Sequence, residues 1–339
     1  MAEQHGYNTT SSSNAFVIVF TLQALAGMWI NSFIVAVSCM AWFKKKSMNS
    51  NEKILLFLGC FRFWYLCATW IYIIISVLFS QHLLGRGVSL AFAISLCFLN
   101  SSNLWTSACL YAFYCIKIAN FRHHFFIFLK AKIDRIVPWL LLSSVVLSLL
   151  NCSPFLEVTD EENNTSTNFT THGIFWKVNK EIREHFHTII LICTSGFSMA
   201  FITVTFSAFL LLFSLCRHKH KMQNSSARSL STDAHIKAMK SLLSFFFIYC
   251  INYIILMSTV YYNNENNLLT LLLLVLQYAF PVVHSLILIF SNPKLERIVL
   301  GILPCAKCKD CTRKPTKTLM LCSSVQVLPS LMESSGHCG

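Results

Sequence analysis

Residues 268–290 read LLTLLLLVLQYAFPVVHSLILIF, a run without a single charged side chain. At about 1.5 Å of rise per residue, an α-helix of this length crosses the roughly 30 Å hydrocarbon core of a bilayer. Six more apolar segments, each near or above the ~20 residues needed to span hydrocarbon, precede this run. The seven predicted spans are residues 15–42, 54–80, 88–118, 136–155, 186–216, 239–261 and 268–290. The sequence therefore predicts an all-α membrane protein, with a seven-transmembrane helix bundle over residues 15–290.

The composition supports lipid as the solvent of this chain. Hydrophobic residues make up 55% of the 339 residues, and charged residues only 12%. A soluble fold of this length cannot hide so much apolar surface. The apolar runs are unbroken rather than alternating, which favours helices over a transmembrane β-barrel.

The distribution of basic residues predicts the orientation in the membrane. Lys and Arg concentrate in the first, third and fifth loops and in the C-terminal tail. The other loops hold only Arg86, Lys177, Lys180 and Arg183. The positive-inside rule then makes residues 1–14 extracellular and residues 291–339 a cytoplasmic tail. This topology explains the net charge of +13 without a nucleic-acid partner.

Glycosylation signals agree with this orientation. One Asn-x-Ser/Thr signal lies at Asn8, and three more lie in the fourth loop, at Asn163, Asn164 and Asn168. All four face the lumen during synthesis if the N-terminus is outside. We therefore expect a glycoprotein.

An arginine lies deep in the second predicted span. Arg62 is about eight residues into the span, or roughly 12 Å at the helical rise. An intramembrane charge must face the bundle interior and find acceptors, and it predicts a functional site by default. It fits either a stabilising network or the bistable element of a switch. The residues predicted to form this network are Asn31, Arg62, His284, Ser285 and Asn292.

Uncharged polar residues also occur in the third and sixth spans. Asn100 and Asn103 enclose two serines, and Asn252 and Tyr253 lie in the outer half of the sixth span. Such groups line a pocket or bond neighbouring helices. Both interpretations remain open for each residue taken singly.

The sequence contains none of the residue patterns that are typical of the enzyme classes considered for a membrane protein. The sequence has no Ser–His–Asp spacing and no His-Glu-x-x-His, and all 14 acidic residues fall in predicted loops or tails. A membrane hydrolase or a proton-coupled pump needs buried carboxylates. We predict that the protein is not an enzyme and needs no cofactor.

Three cysteines follow the last span. Cys305, Cys308 and Cys311 resemble a metal-binding run, but the fourth ligand at iron–sulfur spacing is absent. Their place among lysines beside the membrane is more typical of S-palmitoylation. Free thiols are the third alternative.

Several motifs together resemble one receptor family. Rhodopsin-like signatures are missing: the third span does not end in Asp/Glu-Arg-Tyr, and the seventh lacks Asn-Pro-x-x-Tyr. Residues 113–121 instead read FYCIKIANF, Leu104 and Trp105 precede them, and residues 284–295 read HSLILIFSNPKL. Residues 234–241 read AHIKAMKS, and Gly27-x-x-x-Asn31 lies in the first span. This set, which covers about residues 15–297, resembles the bitter taste receptors (type 2 taste receptors), a family of G-protein-coupled receptors.

The resemblance implies a function. It implies a plasma-membrane receptor that binds bitter small molecules and activates a heterotrimeric G protein of the gustducin type. Asn100 matches a family pocket asparagine, while Leu96 and Leu274 stand where the family often has tryptophan and a polar or acidic residue. The predicted ligand-binding residues are Leu96, Asn100, Asn103, Asn252, Tyr253 and Leu274. The residues implied in G-protein coupling are Tyr114, Lys117, Ala119, Leu215 and His218.

Two other classes fit the sequence less well. A chemosensory receptor of the vomeronasal type 1 kind is the nearest alternative, and the His-Ser…Asn-Pro-Lys-Leu run argues against it. A seven-span transporter is the second, and the lack of internal repeats and of buried carboxylates argues against that class. Anionic membrane lipids remain expected partners of the basic inner loops.

Overall fold

The chain is helical throughout the part that the structure describes. The structure, a computed structural model, describes residues 2–78, 86–118, 124–154, 186–223, 230–261 and 268–308. No strand occurs within those ranges. The helices are α1 (Ala2–Lys45), α2 (Ser50–Leu78), α3 (Arg86–Ile118), α4 (His124–Asn151), α5 (Phe186–Gln223), α6 (Leu230–Tyr261), α7 (Leu268–Ser291) and α8 (Pro293–Cys308). The first seven correspond to the seven predicted spans, and the all-α class is confirmed.

Five of the described helices are long and apolar enough to cross a membrane by length and composition. They are α1, α2, α4, α5 and α7; the apolar stretch described for α6, Leu243–Thr259, is shorter. The polar run from Asn100 to Asn103 lowers the mean hydropathy of α3, which sets it apart from those five. Only 28% to 44% of each apolar window is buried inside the bundle, so most of its side chains face outward. Lipid is the solvent that such a surface requires.

Helix α3 lies centrally in the bundle. It packs against α2, α4 and α5, while α1 packs against α2 and α7, and α6 against α5 and α7. Polar side chains join α3 to α4: Thr106 and Ser144 share a hydrogen bond of 3.4 Å, and Asn151 Nδ2 donates to Ser101 Oγ at 3.3 Å. Small polar residues of this kind let helices approach closely in a membrane.

Helix α8 was not among the predicted elements. Its sequence carries start signals, because Pro293 occupies the first helical position and Glu296 lies in the first turn. Leu295, Ile298 and Val299 then recur at spacings of three and four residues, which is the helical period. The described residues from Pro293 to Cys308 belong to a compact unit separate from the bundle.

A glycine sets the distance between three helices. A Cβ atom added at Gly27 of α1 would lie 2.5 Å from Leu66 Cδ1 of α2 and 2.9 Å from Val282 Cγ2 of α7. Both distances are far below van der Waals contact. Gly27 therefore allows α1, α2 and α7 to meet one turn outward from Asn31, where outward means towards the side that is predicted to be extracellular.

Gly27→Ala is expected to destabilise the bundle. Overpacking of a closely packed core costs about 1–3 kcal/mol. We expect this loss in the free energy of unfolding of the purified receptor in mixed micelles. Gly87→Ala is the matched control, because a Cβ there meets nothing within 4 Å. An equal effect of both substitutions would contradict the close approach at Gly27.

Candidate functional site

Arg62 is the centre of a buried polar network. The residue is fully buried, and its guanidinium reaches α3 and α7. Nε donates to Asn103 Oδ1 at 2.8 Å, and Nη2 donates to Ser107 Oγ at 3.3 Å. Nη1 donates to Ser285 Oγ at 2.8 Å, and Nη2 also contacts His284 Nδ1. Four side chains from two helices thus converge on one cation.

The network continues from α7 to α1. Ser285 Oγ, which accepts from Arg62, donates in turn to Asn31 Oδ1 at 2.8 Å. Asn31 Nδ2 donates to the backbone oxygen of Gly27 at 2.8 Å. Both side chains are fully buried, so each polar group depends on these internal partners. A single chain of hydrogen bonds therefore links α1, α2, α3 and α7.

The acceptors of Arg62 described above are all neutral. An arginine side chain has only donors, so His284 Nδ1 must be the acceptor in their contact. The ring proton of a neutral His284 then lies on Nε2, which is buried and has no hydrogen-bond partner among the described atoms. The charge of Arg62 is balanced by dipoles rather than by a carboxylate within this network.

Aromatic rings hold His284 in place. Its ring stacks on Phe280 with centroids 5.3 Å apart and meets the edge of Phe245 at 5.1 Å. The rings of Phe280 and Tyr249 also contact each other, with their centroids 6.3 Å apart. These rings extend the network outward, from Arg62 towards α6.

The outer half of the bundle contains an aromatic cluster with hydroxyl groups. Tyr253 of α6 stacks on Phe201 of α5 with centroids 4.2 Å apart. The Tyr253 hydroxyl and Ser198 Oγ share a hydrogen bond of 2.8 Å. Tyr249, one turn inward from Tyr253, donates its hydroxyl to the Leu104 backbone oxygen at 3.5 Å. This cluster joins α3, α5 and α6.

The structure places the predicted pocket residues in different surroundings. Leu96, Asn100 and Leu274 are half-buried on α3 and α7, and Asn252 is buried on α6. Asn103 differs from the prediction: it is 1% exposed, and its Oδ1 accepts from Arg62. Asn103 therefore belongs to the buried network, and its part in ligand binding stays a prediction. The rotation of α3 decides this, since it turns Asn103 towards α2.

Sequence reasoning missed several of these residues. Ser198, Phe201 and Phe280 are ordinary membrane-helix residues, and nothing in the sequence distinguishes them. Gln277 does stand out in the sequence, since it is an uncharged polar residue inside the apolar run of residues 268–290. Its Oε1 is buried without a hydrogen-bond partner among the described atoms, one turn inward from Leu274.

The predicted network residue Asn292 lies elsewhere. Its backbone N–H bonds to the Leu288 and Ile289 carbonyl oxygens at 3.1 and 3.3 Å, at the end of α7. Seven residues separate it from Ser285, which is about 10 Å along a helix. Asn292 therefore closes α7, at a distance from the Arg62 network.

The inner ends of α2, α3 and α4 are joined by polar side chains. The Tyr114 hydroxyl donates to Asn51 Oδ1 at 3.1 Å, and Ser50 Oγ donates to Asp134 Oδ1 at 2.5 Å. Lys117 is exposed, with Nζ 5.1 Å from the centre of the Phe113 ring. Tyr114 and Lys117 thus lie near one another at the inner end of α3.

Other predicted residues fall outside the described part of the chain. Ala119, Cys311 and the fourth-loop asparagines lie beyond the described ranges. For a second group the helix backbone is described but the side chains are not. This second group consists of Asn8, Leu215, His218, Cys305 and Cys308.

A bundle of seven helices with a buried polar centre is typical of a seven-transmembrane protein of the G-protein-coupled receptor type. Comparison with known proteins narrows this class to one family. The model of the taste receptor protein (TAS2R) family matches residues 9–307, so the chain belongs to that family. It is 31% identical over 314 residues to taste receptor type 2 member 9 of Homo sapiens, covering 88% of this chain and 96% of that protein. It is 32% identical over 323 residues to member 110 of Mus musculus, with coverage of 89% and 96%. Member 40 of Gallus gallus is 30% identical over 298 residues, with coverage of 86% and 94%.

Family membership decides between the classes that the sequence left open. The family is one of receptors, so the vomeronasal type 1 and transporter alternatives lose their support. The protein is a multi-pass membrane receptor.

Proposed function

We propose that this chain is a bitter taste receptor, which binds bitter small molecules between the outer halves of its helices and activates a heterotrimeric G protein. The contact between the outer aromatic cluster and the Arg62 network carries this proposal. Tyr249 contacts Phe280, Phe280 stacks on His284, and His284 contacts Arg62. A ligand that moves the outer rings therefore acts on a polar network at the bundle centre.

The proposed pocket selects neutral ligands. Its lining combines Leu96, Phe201 and Leu274 with a few polar anchors, among them Asn100 and the Tyr253 hydroxyl. None of these side chains is charged, so a cationic alkaloid finds no ion pair among them. A mostly apolar cavity with few polar groups fits apolar molecules that carry one or two hydrogen-bonding groups.

Activation is proposed to follow a shift in population. An agonist binds more tightly to the active arrangement and pulls the equilibrium towards it. The bonds from Arg62 to α3 and α7 are the natural element to rearrange, because packed networks adopt discrete alternatives rather than continuous ones.

The inner face is proposed to contact a heterotrimeric G protein of the gustducin type. Tyr114 and Lys117 lie at the inner end of α3, and the inner end of α5 contains Leu215 and His218. The basic loops on this side also suit anionic lipids. We place the receptor in the plasma membrane with its N-terminus outside and its C-terminus in the cytoplasm.

Tyr253→Ala is expected to weaken the response to an agonist at least about 10-fold, which corresponds to about 1.4 kcal/mol of lost binding. The change removes both the ring stacked on Phe201 and the hydroxyl bonded to Ser198. The measurement is agonist-evoked calcium release in cells that express the receptor with a gustducin-like Gα and are challenged with bitter compounds. Asn100→Ala is expected to act in the same direction.

Ser95→Ala is the matched control. Ser95 lies on α3 close to Asn100, but it is exposed, and its hydroxyl bonds to the Ala91 backbone oxygen of its own helix at 2.7 Å. Equal losses for Ser95→Ala and Asn100→Ala, at equal surface expression, would contradict the pocket. A response that persists without the Gα would contradict G-protein coupling.

A further inference from the structure

Three cysteine side chains from three helices meet in the outer half of the bundle. Cys97 lies on α3, Cys152 at the end of α4 and Cys193 on α5. Cys97 Sγ and Cys193 Sγ lie 4.0 and 3.8 Å from one atom, the backbone oxygen of Asn151. We call these three residues the thiol cluster.

The surrounding contacts hold the thiol cluster together. Cys152 Sγ lies 3.9 Å from the Ile94 backbone oxygen, one turn from Cys97. Asn151, whose carbonyl contacts the two other sulfurs, bonds Ser101 of α3 through its side chain. Gly196 lets α5 approach, because a Cβ atom there would collide with the Asn151 side chain. The cluster is thus a junction of α3, α4 and α5.

The thiols are free, and two of them are partly accessible. Cys97 and Cys193 are half-buried, and Cys152 is 4% exposed. The positive-inside rule places this end of the bundle towards the lumen and the cell exterior. That side is oxidising, whereas the cytoplasm keeps thiols reduced.

We propose that the thiol cluster is an oxidation site, in which Cys97 forms a disulfide with Cys193 and so ties α3 to α5. Cys152 is the alternative partner, and a Cys97–Cys152 bond ties α3 to α4. Cys97 is the shared member because its sulfur contacts the same Asn151 carbonyl oxygen as the Cys193 sulfur, and because Cys152 contacts the Ile94 carbonyl oxygen one turn away on α3. No cysteine lies in the predicted outer loops, so a covalent tie on this side of the bundle has to form inside it.

The chemistry needs a hydroperoxide as the oxidant. One sulfur of the pair attacks the peroxide, the O–O bond breaks, and an alcohol or water leaves while that sulfur becomes a sulfenic acid. The other sulfur then attacks it, the S–S bond forms, and the sulfenic hydroxyl leaves as water with the proton of the second thiol. The two sulfurs together lose two electrons, and the peroxide gains them.

The consequence for signalling rests on the proposed function. Asn100 lies one turn from Cys97, and Ser198 lies little more than one turn from Cys193. A bond between the two cysteines would hold α3 and α5 at one distance beside the proposed pocket. Oxidation is therefore expected to reduce the response to an agonist that needs α5 to move.

The test uses the full-length purified receptor treated with hydrogen peroxide. Remaining thiols are alkylated, and the unreduced peptides are identified by mass spectrometry. We expect a peptide of α3 joined through Cys97 to a peptide of α5, and its release by a reductant. Cys152→Ser should keep this link, Cys193→Ser should shift it to Cys152, and Cys97→Ser should abolish both links.

Cys109 provides the internal control. It is a buried thiol on the same helix, and its Sγ donates to the Leu140 backbone oxygen at 3.5 Å. Recovery of Cys97 as an alkylated thiol to the same extent as Cys109 would overturn the proposal. Oxidation of Cys97 without any link to another cysteine would overturn it as well.

The two parts of the proposal can fail separately. The peptide link is read as a mass and needs no agonist, so it is independent of the proposed function. If the link forms and the calcium response of the wild type is unchanged, the oxidation site stands and its effect on signalling is refuted. If the response falls equally in the wild type and in Cys97→Ser, the link is not the cause.

Discussion

Arg62→Met is expected to lower the free energy of unfolding by about 2–6 kcal/mol. The substitution leaves two buried acceptors without a donor, and each such acceptor costs about 1–3 kcal/mol. The acceptors are Asn103 Oδ1 and His284 Nδ1, which are buried and receive their hydrogen bonds from Arg62. The serine partners lose less, because Ser107 and Ser285 keep their own donated bonds. Unfolding of the purified receptor in mixed micelles measures the change.

Arg62→Lys separates the role of the donors from that of the charge. Lysine keeps the charge but cannot present a planar fork to several acceptors at once. We expect the stability order wild type, Lys, Met, because lysine still donates to some of the acceptors. The reverse order of the two variants would show that relief of the buried charge outweighs the hydrogen bonds.

His284→Phe is expected to cost about 1.5–3 kcal/mol, the range for a lost hydrogen bond to a charged group. Phenylalanine preserves the stacking with Phe280 and the edge contact with Phe245, but it offers no acceptor to Arg62. The loss in the free energy of unfolding therefore measures the contribution of the hydrogen bond rather than that of the ring packing. His284→Asn serves as the comparison, because it keeps an acceptor and loses the ring.

A double-mutant cycle tests the coupling directly. In an Arg62→Met background, His284→Phe no longer leaves a donor without an acceptor. We expect its cost to fall by at least about 1 kcal/mol there, within the usual range for residues in one network. Additive effects of the two substitutions would contradict the contact between Arg62 and His284.

Much of the architecture followed from the sequence because the membrane imposes strict conditions. Uncharged runs of about 20 residues have few solutions other than spanning helices, since every backbone group must be satisfied internally. The same condition turned Arg62 inward. The pattern of apolar runs does not predict helix α8, although Pro293 and Glu296 are typical of a helix start.

The site was only partly accessible from the sequence. Asn100, Tyr253 and the residues around Arg62 stood out as polar groups in apolar spans, and the motif FYCIKIANF indicated the family. The short distance to Asn100 in the sequence predicts a pocket position for Asn103. Three residues along a helix differ in direction by only about 60° and in height by about 4.5 Å, and this small difference places Asn103 against Arg62.

The sequence by itself determined the class of fold and the presence of a buried cation, because length and desolvation act on each segment separately. Only the tertiary structure decided which way each helix is turned. Lipid tails and the bundle interior are both apolar, so a membrane helix carries little periodic signal of the face that points inward. The direct contact of His284 with Arg62, the place of Asn103 in that network and the meeting of Cys97, Cys152 and Cys193 all depend on this rotation.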